Sequence, residues 1–295
     1  MPSKLSSLNK QNLLLEFASL QHACPEGVFV TITPGNPTLW AGVLFARKGP
    51  YMPSILRFQI SFPAQFPSQP PLVTFSSEIF HPLLTPLSTY TYTTSATDTE
   101  TVSASDQERL PPGGFSLRHG FPQWFKQARE SSGAKSPTGL ITGSSAASTV
   151  TVYEILEYLK LAFNEESFLD SIPLEAAANP GAYHAWNAHQ ARKSSRAVSP
   201  QSGPSSKRSS GIENMSGTLS GDNESAAATN RGRKPGQWNW EGVWEDRVKR
   251  GIQSTVAEQV LFGSSSAADE LIRFSSLDPD QLGAILQEMG KDRAI

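Results

Sequence analysis

The stretch Phe58–Pro82, FQISFPAQFPSQPPLVTFSSEIFHP, decides the fold of this chain. Phe58, Ile60 and Phe62 alternate with polar neighbours, the pattern of a strand with one buried face. Pro63, Pro67, Pro70 and Pro71 follow. Proline removes a ladder donor and fixes φ, so these four belong to a rigid corner and not to a strand. Leu72, Val73 and Phe75 then resume an apolar run, and the segment ends on Ile79-Phe80-His81-Pro82 with Leu83 behind it. The reading is strand, corner, strand.

Towards the N-terminus, Leu13, Leu14, Phe17 and Leu20 stand at helical spacing and predict an amphipathic helix over 8–23, with Asn9 or Asn12 as its cap. Cys24-Pro25-Glu26-Gly27 ends it. Val28, Val30 and Ile32 make a first strand, and Pro34-Gly35-Asn36-Pro37 is a turn by composition. Leu39 to Phe45 forms a second strand interrupted by Gly42, and Gly49-Pro50 turns the chain again. The third strand spans Ser54–Ser61 and the fourth Leu72–Phe75. A helix followed by a four-strand antiparallel meander is an α+β layer.

Beyond the corner the composition changes. Residues 84–113 are rich in Thr and Ser, carry Asp98, Glu100, Asp106 and Glu108, and keep no apolar period, so they read as a polar surface insertion. Phe115, Leu117, Phe121, Trp124 and Phe125 restore apolar residues before a second polar insertion at 131–148. Ile155, Leu156, Leu159 and Phe163 give a helix over 151–163. Asn179-Pro180 is a cap with proline at the first helical position, so 180–192 forms another helix, with Tyr183 and Trp186 on one face. These elements make a core domain over 8–190.

Residues 191–237 read as a disordered Ser/Gly-rich linker, since almost no large apolar side chain is present to offset chain entropy. Between 187 and 237 eight basic side chains face three acidic ones, a balance that suits solubility and needs no nucleic-acid partner. The tail, 238–295, opens with Trp238, Trp240 and Trp244. Trp240, Trp244 and Val248 are four apart, one stripe of a helix running to about Arg250. Such a stripe must dock on its own domain or on a partner, which makes these three residues candidates for partner binding. Two further helices are expected over 267–274 and 278–290, the second with Leu282, Ile285, Leu286 and Met289 on its apolar face.

A chain of 295 residues with a formal net charge of −2 has room for one or two domains and no field that points to nucleic acid or membrane. Cys24 is the only cysteine, which excludes an intrachain disulfide and a Cys-built zinc site. No cofactor or metal is called for. The N-terminal MPSKLSSLNKQ has no apolar core region and no run is long enough to insert in a membrane, so a soluble cytoplasmic protein is expected.

The strands, the proline corner and His81-Pro82 resemble the central motif of the ubiquitin-conjugating enzymes. In that family the corner leads to His-Pro-Asn, and a Gly-x-Ile-Cys-Leu pattern follows. The cysteine thiolate carries the ubiquitin thioester, and the asparagine donates to the oxyanion that forms under lysine attack. Here Leu83 stands at the asparagine position, and Gly113-Gly114-Phe115-Ser116-Leu117 sets Ser116 at that of the cysteine. The resemblance implies a non-catalytic variant that keeps Pro63, Pro67, Pro70, Pro71, His81, Pro82 and Trp124 as scaffold. Cys24, at the end of the first helix, is far from the site in the implied fold. Ser116 as an ester-forming nucleophile needs a base such as His119 or His81; an acidic loop beside it favours a surface loop residue.

Among inactive variants the chain is most similar to the fused-toes, or Akt-interacting, protein group, over roughly residues 8–190. Phe80-His81-Pro82-Leu83, Gly114-Phe115-Ser116-Leu117 running on to Phe121 and Trp124, the helix Tyr153–Phe163 and Asn179-Pro180-Gly181-Ala182-Tyr183 carry this likeness. It implies an adaptor that binds a Hook-type coiled-coil protein and its companion subunit and links endosomes to dynein. The alternatives are an inactive cofactor that binds ubiquitin or an active conjugating enzyme, and an enzyme with a non-standard nucleophile.

Overall fold

Helix α1 (Lys4–Ala23) buries Leu13 and Leu20 against the sheet and sets Phe17 edge-on to Trp40, ring centroids 5.2 Å apart. The computed structural model describes residues 4–87, 110–125, 150–198, 238–262 and 271–292. Because α1 starts at Lys4, Asn9 is inside the helix and does not cap it. Its side-chain amide instead donates to the Ala64 carbonyl at 2.7 Å and ties α1 to the proline corner.

Strands β1 (Val28–Thr33), β2 (Asn36–Phe45), β3 (Ile55–Ser61), β4 (Leu72–Phe75) and β5 (Gly114–Phe115) form one antiparallel sheet in sequence order. Trp40 lies opposite Ile60, and Ile60 opposite Val73, so alternate residues share the buried face. The expected meander of four strands is extended by β5, whose two residues are too few to show a period. Asn36 and Pro37 belong to β2, leaving Pro34-Gly35 as the turn; Gly35, at φ +77°, takes the left-handed conformation that glycine allows. Gly42 does not interrupt its strand. A Cβ there would lie 2.2 Å from the Phe58 ring, so glycine makes room for that ring within β2.

The proline corner is closed by a turn, Phe66 N–H to the Pro63 carbonyl, and by the Trp124 indole, which donates to the Pro67 carbonyl at 2.8 Å. Helix α2 (Val152–Asn164) starts at a reciprocal cap between Thr151 and Glu154 and buries Ile155, Leu156, Leu159 and Phe163. The Glu16 carboxylate of α1 accepts from the Val152 N–H at 2.9 Å. The short helix α3 (Glu166–Asp170) leads to a 3-10 turn, Leu174–Ala176, and then to α4 (Pro180–Val198), capped as expected by the Asn179 side chain, which accepts from Ala182 N–H at 3.1 Å. Helix α4 runs six residues past 192, so residues 191–198, expected in the linker, are helical; the remainder of that linker, 199–237, lies outside the described residues.

The first insertion has a built stem. Leu84 bridges to Phe115, Thr85 N–H donates to the Gly114 carbonyl and Gly113 N–H to the Thr85 carbonyl. Residues 84–87 and 110–113 are thus part of the domain, while 88–109 and the second insertion, 131–148, lie outside the described residues.

The tail folds back on the core. Helix α5 (Val243–Thr255) begins after Gly242, so Trp240 precedes the helix and the expected three-residue stripe is broken. Trp244 is 2% exposed, wedged between Trp186, Tyr51 and Phe80, and Val248 is buried below it. Thr255 Oγ1 accepts from the Ile55 N–H, and after helix α6 (Glu258–Leu261) the Arg57 side chain donates to the Leu261 carbonyl. Residues 271–274 are not helical, against expectation, and 267–270 lie outside the described residues; Phe274 meets Phe45 edge-on at 6.2 Å beneath the Arg57 guanidinium. Helix α7 (Pro279–Asp292) follows. No helix among the described residues is long and apolar enough to cross a membrane.

Candidate functional site

His81 sits at the junction of sheet and helices, fully buried among Phe163, Tyr51 and Phe115. Its Nδ1 accepts from the Leu83 N–H at 3.0 Å, which leaves the proton on Nε2, and Nε2 donates to the Ala162 carbonyl at 3.0 Å. Burial among rings pushes its pKa down to about 4, so the ring is neutral near pH 7. Both nitrogens are engaged within the protein. The ring fixes the turn that carries Leu83 and joins it to α2.

Leu83 is 0% exposed and its carbonyl accepts from the Ser116 N–H at 2.7 Å, so the two positions that the resemblance singles out are neighbours. Ser116 is only 2% exposed, and its hydroxyl donates to the Ala176 carbonyl at 3.0 Å. The segment from Leu174 to Asn179 lies over both, since the Asn179 N–H also donates to the Pro82 carbonyl at 2.9 Å. Ser116 is therefore no surface loop residue. The physical reason is that β5 draws 114–117 into the sheet edge and the 3-10 turn covers it.

A buried hydroxyl already bound to a carbonyl has no open approach for an acyl group, and a nucleophilic serine also needs a base. His119, half-buried, lies 3.3 Å from the Tyr158 hydroxyl and 3.4 Å from the Ser171 hydroxyl, and burial lowers its pKa. Cys24 donates its thiol to the Val28 carbonyl at 3.1 Å, and partial burial raises its pKa, which disfavours the thiolate. Among the described residues no cluster of three His, Cys, Asp or Glu side chains is placed to hold a metal.

The tail residues divide. A partner-facing role does not fit Trp244, which packs on Trp186, Tyr51 and Phe80, or Val248, which is buried in the same apolar core. Trp240 is half-buried; it stacks on His184 with centroids 6.1 Å apart and on Trp238 at 5.6 Å. With Asn187, Ala188, Arg192 and Glu241 these rings line an open cleft of about 520 Å³ between α4 and the start of the tail. Sequence spacing joined Trp240 to Trp244 and so missed this division; Gly242, at φ +72° between them, was the signal for a break.

The helix, the antiparallel sheet with its proline corner, and the helices behind it define a ubiquitin-conjugating-enzyme-like domain, and residues 12–89 match the family model of the ubiquitin-conjugating enzyme. The matched residues lie within the part of the chain that the resemblance to the ubiquitin-conjugating enzymes covers. Over 81 residues the chain is 42% identical to the protein crossbronx homolog of Anopheles gambiae, a match that covers 27% of this chain and 36% of that relative. It is similarly 41% identical over 81 residues to the protein crossbronx homolog of Culex quinquefasciatus, covering 27% and 35%. A ubiquitin-conjugating enzyme E2 2 from Debaryomyces hansenii is 33% identical over 79 residues, covering 26% of this chain and 47% of the enzyme. The chain thus spans less than half the length of each of these relatives.

Proposed function

We propose that this chain is a non-catalytic adaptor built on a ubiquitin-conjugating-enzyme-like core. One observation carries the reading: Ser116, at the position where the resemblance sets the thioester cysteine, is buried beneath Leu174–Asn179 with its hydroxyl given to the Ala176 carbonyl. The residue at the asparagine position, Leu83, offers no side-chain donor for an oxyanion. The adaptor acts as the fused-toes subunit does, binding a Hook-type coiled-coil protein and a companion subunit in the cytoplasm and reaching endosomes through them. Trp240 and the cleft it lines are the surface offered to such a partner, since an aromatic anchor beside an open groove suits helix or peptide docking.

Two measurements test this. Incubation with activating enzyme, ATP and ubiquitin yields no adduct sensitive to reductant or hydroxylamine; a charged species would show the chain to be an enzyme. Purified with a Hook-type coiled-coil protein, the chain co-elutes on gel filtration, and Trp240→Ala weakens the complex. Separate elution of the two proteins would remove the Hook reading.

A further inference from the structure

Val43 lies on the side of the sheet that points away from the core, and yet it is buried. Alternation along β2 turns Trp40 and Leu44 into the core and Ala41, Val43 and Phe45 to the opposite side. Across the ladder Val43 stands opposite Arg57 and Ala41 opposite Gln59 of β3. On this outer face Val43 is 1% exposed, while Phe29 of β1 is 55% exposed. A cover therefore sits over the middle of the sheet and stops short of its β1 edge.

The cover is the chain's own tail. Phe274 sits edge-on to Phe45 with the Arg57 guanidinium 5.1 Å from its ring centroid, and Arg57 also donates to the Leu261 carbonyl. Leu271 and Ile272 form one wall of a cavity of about 430 Å³ whose other walls include Ala41, Val43, Gln59 and Thr74. Residues 271–274 are neither helix nor strand, so side chains hold this segment in place of ladder bonds. The fit is shallow: Leu271 is exposed, and Ile272 and Phe274 are half-buried. Helix α5, by contrast, buries Trp244 and Val248. The tail is thus fastened twice, tightly at α5 and loosely here, and the loose contact can part while the tight one holds. A shallow contact stays filled because a tethered segment is present at an effective concentration on the order of millimolar.

We infer that the outer face of β2, β3 and β4 is a docking groove for an extended segment of a partner protein carrying the pattern Leu-Ile-x-Phe, and that Leu271–Phe274 fills it as a built-in competitor. The occupant is read from the segment already seated there. An aromatic side chain takes the place between Phe45 and Arg57, and an aliphatic pair before it lies along the cavity beside Val43 and Ala41. A partner segment of the same chemistry enters only as the tail segment leaves. The groove is separate from the Trp240 cleft and from Ser116, so this inference stands apart from the adaptor reading.

The test uses the full chain and a fluorescein-labelled peptide with the sequence of residues 271–278, titrated by anisotropy against a scrambled twin. Ile272→Ser/Phe274→Ser loosens the tail segment and is expected to bind the peptide about tenfold or more tightly than the wild type, whose groove is filled. Adding Arg57→Gln to that variant returns the affinity to the wild-type level or below; Ala41→Glu, on the same face, serves in its place if Arg57→Gln does not fold. Unchanged near-ultraviolet circular dichroism certifies that Trp186 and Trp244 keep their places. Equal binding by wild type and loosened variant, binding to neither, equal binding of the scrambled twin, or binding that the groove substitutions leave intact overturns the proposal. So does a loss of binding through Trp240→Ala, which places the peptide in the other cleft. A wild-type dimer in sedimentation that the loosened variant dissolves also overturns it, since the segment then reaches across to a second copy. Ubiquitin charging is read separately: a charged chain sinks the adaptor reading and leaves this inference untouched.

Discussion

Trp186 of α4 and Trp244 of α5 meet with ring centroids 4.7 Å apart at an angle of 60°, although 58 positions separate them in the chain. This contact makes the tail part of the core. The Trp186 indole is fixed from its other side by the Asp170 carboxylate, to which it donates at 2.9 Å, so α3, α4 and α5 converge on one pair of rings.

Trp244→Ala removes the larger part of that contact and is expected to cost about 3–5 kcal/mol by leaving a cavity among Trp186, Tyr51 and Phe80. Trp240→Ala, at a half-buried ring outside the helix, is expected to cost about 1 kcal/mol. Urea denaturation of the full chain checks both. Equal losses would mean that the tail docks in some other way.

Ser116→Cys, made with Cys24→Ser, places a thiol where the resemblance puts the conjugating cysteine. The site is buried under Leu174–Asn179, so the thiol is expected to resist a maleimide in the native protein and to react on denaturation. Prompt native labelling would show that the covering segment opens.

His81 gives the protein an acid sensitivity whose sign follows from its folded pKa of about 4, below the ordinary value of 6.5. The unfolded chain takes up the proton first as pH falls, so stability is fully present above pH 6.5 and drains as pH drops towards 4, by a few kcal/mol in order of magnitude. Between pH 6.5 and 5, above the carboxylate range, the urea midpoint is expected to fall, and His81→Gln to flatten that fall. His119 and His184, also lowered by burial, add a smaller slope of the same sign. A variant with the wild-type slope would place the effect elsewhere.

Gly42→Ala drives a methyl group into the Phe58 ring, 2.2 Å away before any relaxation, at the centre of the β2–β3 ladder. We expect a loss of about 2 kcal/mol from overpacking, read as a lower thermal midpoint. Phe58→Leu in the same chain is expected to recover part of it.

How much of this was legible in the sequence follows from range. Strands β3 and β4, the corner between them and α2 were readable because period-2 alternation, proline and helical spacing act within a few residues. The Asn179-Pro180 cap was readable for the same reason, and the structure shows its bond to Ala182. Asn9 failed as a cap because α1 already starts at Lys4, and its amide instead donates to Ala64, 55 positions away. Strand β5 left no trace because two residues carry no period; its partner β4 creates it across the insertion.

The candidate site divides along the same line. The sequence by itself determined which side chains are present: Leu83 where a donor was to be expected, Ser116 where a thiol was, and a lone Cys24, since residue identity limits chemistry before any folding. Only the tertiary structure decided where they stand. Ser116 changes from a loop residue to a buried one because the Leu174–Ala176 turn closes over it, and Trp244 changes from a candidate partner anchor to core because Trp186, Tyr51 and Phe80 offer it an apolar pocket. Burial is a sum over neighbours distant in the chain, and no local pattern of residues contains that sum.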